Sequence, residues 1–100
     1  MIKVSIEKNN NKIEKITMTG HAKYADYGKD IVCSAASSIL ITTVNAILKI
    51  NEKAITVKED DDIVINVINH DDVTDKLINN MIDLLEELES QYKKNIKIIK

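Results

Sequence analysis

The chain has only two glycines and no proline, and the two glycines, Gly20 and Gly28, lie at the ends of a single segment. These residue types make most of the sharp breaks in folded chains, so hydrophobic period and polar turns must organise everything outside that segment. On its N-terminal side, Ile2, Val4 and Ile6 alternate as in a strand, and Asn9-Asn10-Asn11 reads as a turn. Residues from about 13 to 19 form a return strand with Ile16 and Met18 on one face. The stretch from Gly20 to Lys29 has no clear period and exceeds the usual connection of ~4–6 residues. It reads as a functional loop.

Beyond the loop, Asp30 is placed to N-cap a helix running to about Ile50, with Ala35, Ala36, Ile39, Leu40, Val44, Ile47 and Leu48 at helical spacing. Ala54–Lys58 and Ile63–Asn69 read as strands joined by the acidic turn Glu59-Asp60-Asp61-Asp62. The second of them is apolar on both faces, as expected of a central strand. Asp71 or Asp72 then caps a second helix to about Tyr92, with a stripe of Val73, Leu77, Ile78, Met81, Leu84, Leu85 and Leu88. Lys93 and Lys94 follow where positive charge suits the helix dipole, and Asn95–Lys100 is a short last strand. The order ββαββαβ implies an α+β fold, one mixed or antiparallel sheet with two helices packed on it, in a single domain spanning 1–100.

Charge narrows the function. A net charge of −2 without any arginine argues against direct nucleic-acid binding, which needs cationic surface and favours bidentate guanidinium groups. The eighteen isoleucines, with no Phe or Trp, are read as genome bias. One cysteine cannot form an internal disulfide, and the N-terminus shows no signal-peptide hydrophobic region. The apolar run from Ile31 to Ile50 is interrupted by serines, threonines, Asn45 and Lys49, so it reads as a buried helix rather than a membrane span. A cytoplasmic protein with no membrane partner is expected.

The chemistry is concentrated in the loop and the helix after it. Cys33, the only cysteine, follows His21, one of two histidines, by twelve residues. A free thiol with a pKa near ~8.5 is only slightly ionised at neutral pH, and the thiolate is the nucleophile. The start of a helix favours an anion there, and an imidazole within reach can take the proton. Free N–H groups of the same turn can receive an oxyanion. Gly20 and Gly28 permit a positive φ or a close backbone approach, Asp30 can cap the helix, orient His21 or both, and Ser37 lies one turn deeper than Cys33. Ser37 can bond to a group around the dyad or merely to a backbone carbonyl. Tyr24 and Tyr27 can line a peptide pocket or pack on their own scaffold.

Gly20-His21-Ala22, Tyr24-Ala25, Gly28, Asp30-Ile31-Val32-Cys33 and Ser37 resemble the signature of the bacterial ribosomal-processing cysteine protease family, Prp. Length, element order and the acidic second helix agree with it as well. The resemblance implies a cysteine endopeptidase that removes an N-terminal extension from large-subunit ribosomal protein twenty-seven and forms a homodimer. On it His21 is the general base, Cys33 the nucleophile, Gly20 a site of loop movement, and Asp30 and Ser37 supporting groups. Ser34 departs from the alanine usual in the family. No metal or other cofactor is expected.

Two readings compete with catalysis: a non-catalytic ribosome-assembly or peptide-binding module, and a redox-sensing thiol. Elsewhere, His70-Asp71-Asp72 with Asp75 can suggest metal ligands but reads better as a capped helix start. The turn 59–62 lacks the ligand pattern of a calcium loop, and Asp83, Glu86, Glu87 and Glu89 read as the wet face of the second helix.

Overall fold

The computed structural model describes residues 1–20 and 29–100, with the backbone alone at 29 and 30. Its elements are β1 (Ile2–Asn9), β2 (Lys12–Thr19), α1 (Lys29–Ile50), β3 (Ile55–Glu59), β4 (Ile63–Val67), α2 (Asp72–Gln91) and β5 (Ile96–Ile99). The strands form one sheet in the order β3-β4-β2-β1-β5. Every pairing is antiparallel except β1 with β5, so the sheet is mixed. This is the α+β arrangement that the pattern of periods implies.

The first hairpin shows how asparagine replaces glycine. Asn10 and Asn11 both take positive φ, 53° and 65°, which a two-residue turn between twisted strands requires. Asparagine tolerates that region because its short amide can bond locally. The alternating residues of β1 (Ile2, Val4, Ile6), with Ile16 and Met18 of β2 and Ile63, Ile65 and Val67 of β4, are buried. They form one core with Val32, Ala36, Leu40 and Ile47 of α1 and Ile78, Met81, Ile82 and Leu85 of α2. The core is aliphatic throughout; each fully buried side chain of this size contributes roughly 1.5–3 kcal/mol.

Several expectations need correction. Helix α1 begins at Lys29, so Asp30 is its second residue and not the N-cap. A carboxylate in the first turn is favoured by the dipole without capping, so the residue type alone does not distinguish the two positions. In α1 only one stripe is buried; Ile31, Ile41 and Ile50 are exposed, so the helix is not enclosed on all sides as its composition suggests. By length and composition alone Ile31–Ile50 would suffice to cross a membrane; in this fold the stripe lies on the core. The buried face of α2 runs through Thr74, Ile78, Met81, Ile82 and Leu85, leaving Val73 and Leu84 exposed. Strand β4 is interior, as expected, but ends at Val67, and Ile68 beyond it is exposed.

Asp71 is the N-cap of α2, accepting a 2.7 Å hydrogen bond from the Thr74 amide. Glu89 is not on a wet face. Its Oε2 accepts the Ile98 amide at 2.7 Å, tying the end of α2 to the edge strand β5. Glu86 likewise meets Lys100 at 3.0 Å, while Asp83 and Glu87 are exposed.

Candidate active site

Strand register brings the strand ends that border the chemical segment to one end of the sheet. Lys3 pairs with Thr19 and Met18 with Ile63, so the start of β1, the end of β2 and the β3–β4 tip lie together. Helix α1 starts at the same end and runs away from it: a short link, 51–54, joins its C-terminus to the start of β3 at the far end. Leu40 and Ile41, midway along it, are already level with Glu59 and Ile63. The N-terminal turn of α1 therefore projects past the hairpin tip toward the exit of β2.

Gly20 makes that exit possible. Its φ is +76°, and a Cβ there would collide with the Met1 carbonyl oxygen. Both the left-handed backbone and the close approach demand glycine. Residues 21–28, among them His21, Tyr24, Tyr27 and Gly28, lie outside the described residues, as does the Asp30 side chain.

Cys33 is the fifth residue of α1, not the third as a cap at Asp30 would make it. Side chains on a helix tilt toward its N-terminus, so the sulfur leans back over the first turn, whose amides have no acceptor within the helix. The thiol is partly buried and packs against the edge of the core. Ser37 is half-buried one turn deeper on the same face.

The second histidine sits at the opposite end of the sheet and is differently employed. His70 places Nδ1 at 3.0 Å from Asp75 and Nε2 at 3.2 Å from Glu14 on β2. Both ring nitrogens can donate at once only in the imidazolium. The Asp75 carboxylate, with Glu14 assisting, holds His70 above its usual pKa against the opposing cost of partial burial. The Thr74 amide, then the Thr74 hydroxyl and the Asn51 amide, hold the Asp71 carboxyl below its usual range. Asp71 thus caps α2 while His70 and Asp75 join it to β2. The link to Glu14 spans 56 residues, and no local motif announces it. Among the described residues, no three His, Cys, Asp or Glu side chains converge as metal ligands.

Comparison with known proteins identifies relatives along the whole chain. Residues 1–97 match the family model described as cysteine protease Prp. A Staphylococcus aureus ribosomal processing cysteine protease Prp is 32% identical, covering 98% of this chain and 97% of the relative. The Bacillus subtilis protein of the same name is 37% identical over 48% of this chain and 44% of its own length. In solved structures, S. aureus Prp in complex with a substrate peptide superposes with a TM-score of 0.90 at 31% identity, covering 98% of this chain and 97% of the other. The same protease with a covalently linked product peptide gives 0.88 at 32% identity, covering 99% and 98%.

Proposed function

This chain belongs to the Prp family of cysteine proteases, and on that premise we propose that Cys33 is its nucleophile and His21 its general base. One observation carries the assignment: a cysteine protease needs a cysteine, and this chain has one. The base is assigned in a similar way. Of the two histidines, His70 has both ring nitrogens engaged by carboxylates at the far end of the sheet. His21 follows Gly20 directly in sequence, and Gly20 lies at the end of the sheet from which α1 starts.

In the proposed cycle, the Cys33 sulfur attacks the scissile carbonyl as His21 accepts its proton. First-turn amides of α1 receive the oxyanion, so that charge develops where donors are already oriented. Collapse expels the amine, which takes the proton from His21, and a water activated by the same imidazole hydrolyses the thioester. Gly20 and Gly28 let the segment between them close on an extended peptide, with Tyr24 and Tyr27 facing it. Asp30 and Ser37 support the dyad.

The substrate we propose is the N-terminal extension of large-subunit ribosomal protein twenty-seven, cut in the cytoplasm by a homodimer of a single-domain chain. The name of the S. aureus relative supports ribosomal processing, and its structures with substrate and covalently linked product peptides support a peptide substrate. Protein twenty-seven, the cytoplasm and the homodimer rest on the resemblance alone. Incubating the protein with the full-length precursor and weighing the products tests both the bond cut and the substrate. Cys33→Ala is expected to abolish cleavage while preserving folding and peptide binding; undiminished cleavage would rule out the mechanism.

A further inference from the structure

We infer that the cleft between α1 and β3 is a side-chain pocket for the substrate peptide, taking an apolar residue four or five positions from the scissile bond. This rests on Cys33 being the nucleophile. Cys33, Ser37 and Val44 fall at i, i+4 and i+11 on α1, with Leu40 and Ile41 to either side of that line. Such spacings keep to one flank of a helix, so the flank bearing the sulfur continues as an apolar stripe. Across from it stand Val57 of β3 and Ile63 of β4, with Asn45 and Glu59 at the polar edges.

The cleft has unspent apolar surface: Ile41 is 46% exposed and Val57 38% exposed. Its volume, about 150 Å³, is small beside the roughly 300–1,000 Å³ of a small-molecule site. That suits one side chain of a larger ligand. Strand β3 is an edge strand, so its outer backbone groups have no strand partner among the described residues. An extended peptide is the ligand that uses both, laying main chain along an edge and side chains into adjacent pockets.

Distance sets the position. From Cys33 to Ile41 and Val44 is eight to eleven helical residues, roughly 12–16 Å at the rise of an α-helix. An extended chain covers that in four or five residues. At the rim of the cleft stands Glu59, with exposed Asp60, Asp61 and Asp62 following at the hairpin tip, so neutral or basic residues are favoured over acidic ones beside it. A larger apolar groove, lined by Ala35, Ile39, Ala46, Leu77 and Leu84, lies between α1 and α2. It is on the flank of α1 turned away from Cys33 and cannot receive the same peptide.

The test uses fluorogenic peptides spanning the proposed cleavage site of the ribosomal precursor, with alanine placed in turn at six positions on each side of the bond. One alanine, four or five residues from the bond, is expected to lower kcat/KM roughly 10- to 100-fold, as loss of a buried aliphatic side chain does. In Ile41→Asp, and independently in Val57→Lys, that penalty is expected to shrink to about twofold because the pocket is already spoiled. Both substitutions replace exposed side chains, and Val57→Lys suits an edge strand if Ile41→Asp folds poorly. Cleavage that proceeds but keeps its full alanine penalty in both variants overturns the pocket and leaves the dyad standing. A halved particle mass in light scattering, with all peptides slowed alike, makes the cleft a contact between copies and also overturns it. Failure of the wild-type protein to cleave any peptide removes the protease reading and the pocket with it.

Discussion

The two ends of the sheet deploy their polar groups in opposite ways. At one end His70 is held between Asp75 and Glu14, next to a helix cap made by Asp71. Polar groups there answer one another within the chain, and the result is a clamp between β2 and α2. At the other end, Gly20 combines a positive φ with a backbone approach that leaves no room for a Cβ, β2 stops, and α1 starts one turn before a partly buried thiol. A cluster of titratable residues is therefore not a site by composition. His70-Asp71-Asp72 with Asp75 has the richer inventory, yet its hydrogen bonds are turned inward, whereas Cys33 lies where strand ends and a helix start converge.

Substitutions sharpen that contrast, the largest effect coming from Cys33. Cys33→Ala is expected to reduce cleavage of the precursor by about 10⁴-fold or more, with an unchanged circular dichroism spectrum. Next, His21→Ala should lower kcat by roughly 10²–10⁴-fold and slow alkylation of Cys33 by iodoacetamide. His70→Gln should leave both within about twofold. Equal losses from the two histidines would dissolve the distinction between the ends.

Gly20→Ala probes the backbone instead of the chemistry. With φ at +76° and the Met1 carbonyl in the way, it should cost roughly 1–3 kcal/mol, read as a lower urea midpoint. The smallest effect is the pH dependence of the clamp. Because folding raises the His70 pKa, its stabilisation is complete below the unfolded value of about 6.5 and fades as pH rises through the higher folded value. The urea midpoint of the wild type should therefore exceed that of His70→Gln at pH 5.5 and approach it by pH 8.5. A gap that widens toward alkaline pH would mean that His70 acts as a neutral side chain.

Much of this is legible in the sequence because it is local. Alternation in 2–6 identifies β1, the asparagine run 9–11 identifies its turn, and Asp71 or Asp72 before an apolar run identifies the start of α2. The crowding of Gly20, His21, Gly28 and Cys33 into one segment marks the candidate site in the sequence, and of these the described residues include Gly20 and Cys33. What escapes depends on distant partners. Glu14 meets His70 across 56 residues, and the use of Glu89 to satisfy the Ile98 amide depends on where β5 docks. Asp30 reads as a cap from sequence because first-turn and capping carboxylates obey the same electrostatics. The rotation of α2 toward Ile82 and away from Leu84 reflects packing against both the sheet and α1, which a single stripe of leucines does not encode.

Because Cys33 is the sole thiol, the central claim has a direct test: cleavage of the precursor by protein alkylated with iodoacetamide to graded extents, with the modified residue mapped by mass spectrometry. Activity should fall in proportion to the fraction of chains carrying one carboxamidomethyl group on Cys33, reaching zero at full modification. Full cleavage by a completely alkylated, folded protein would contradict the account.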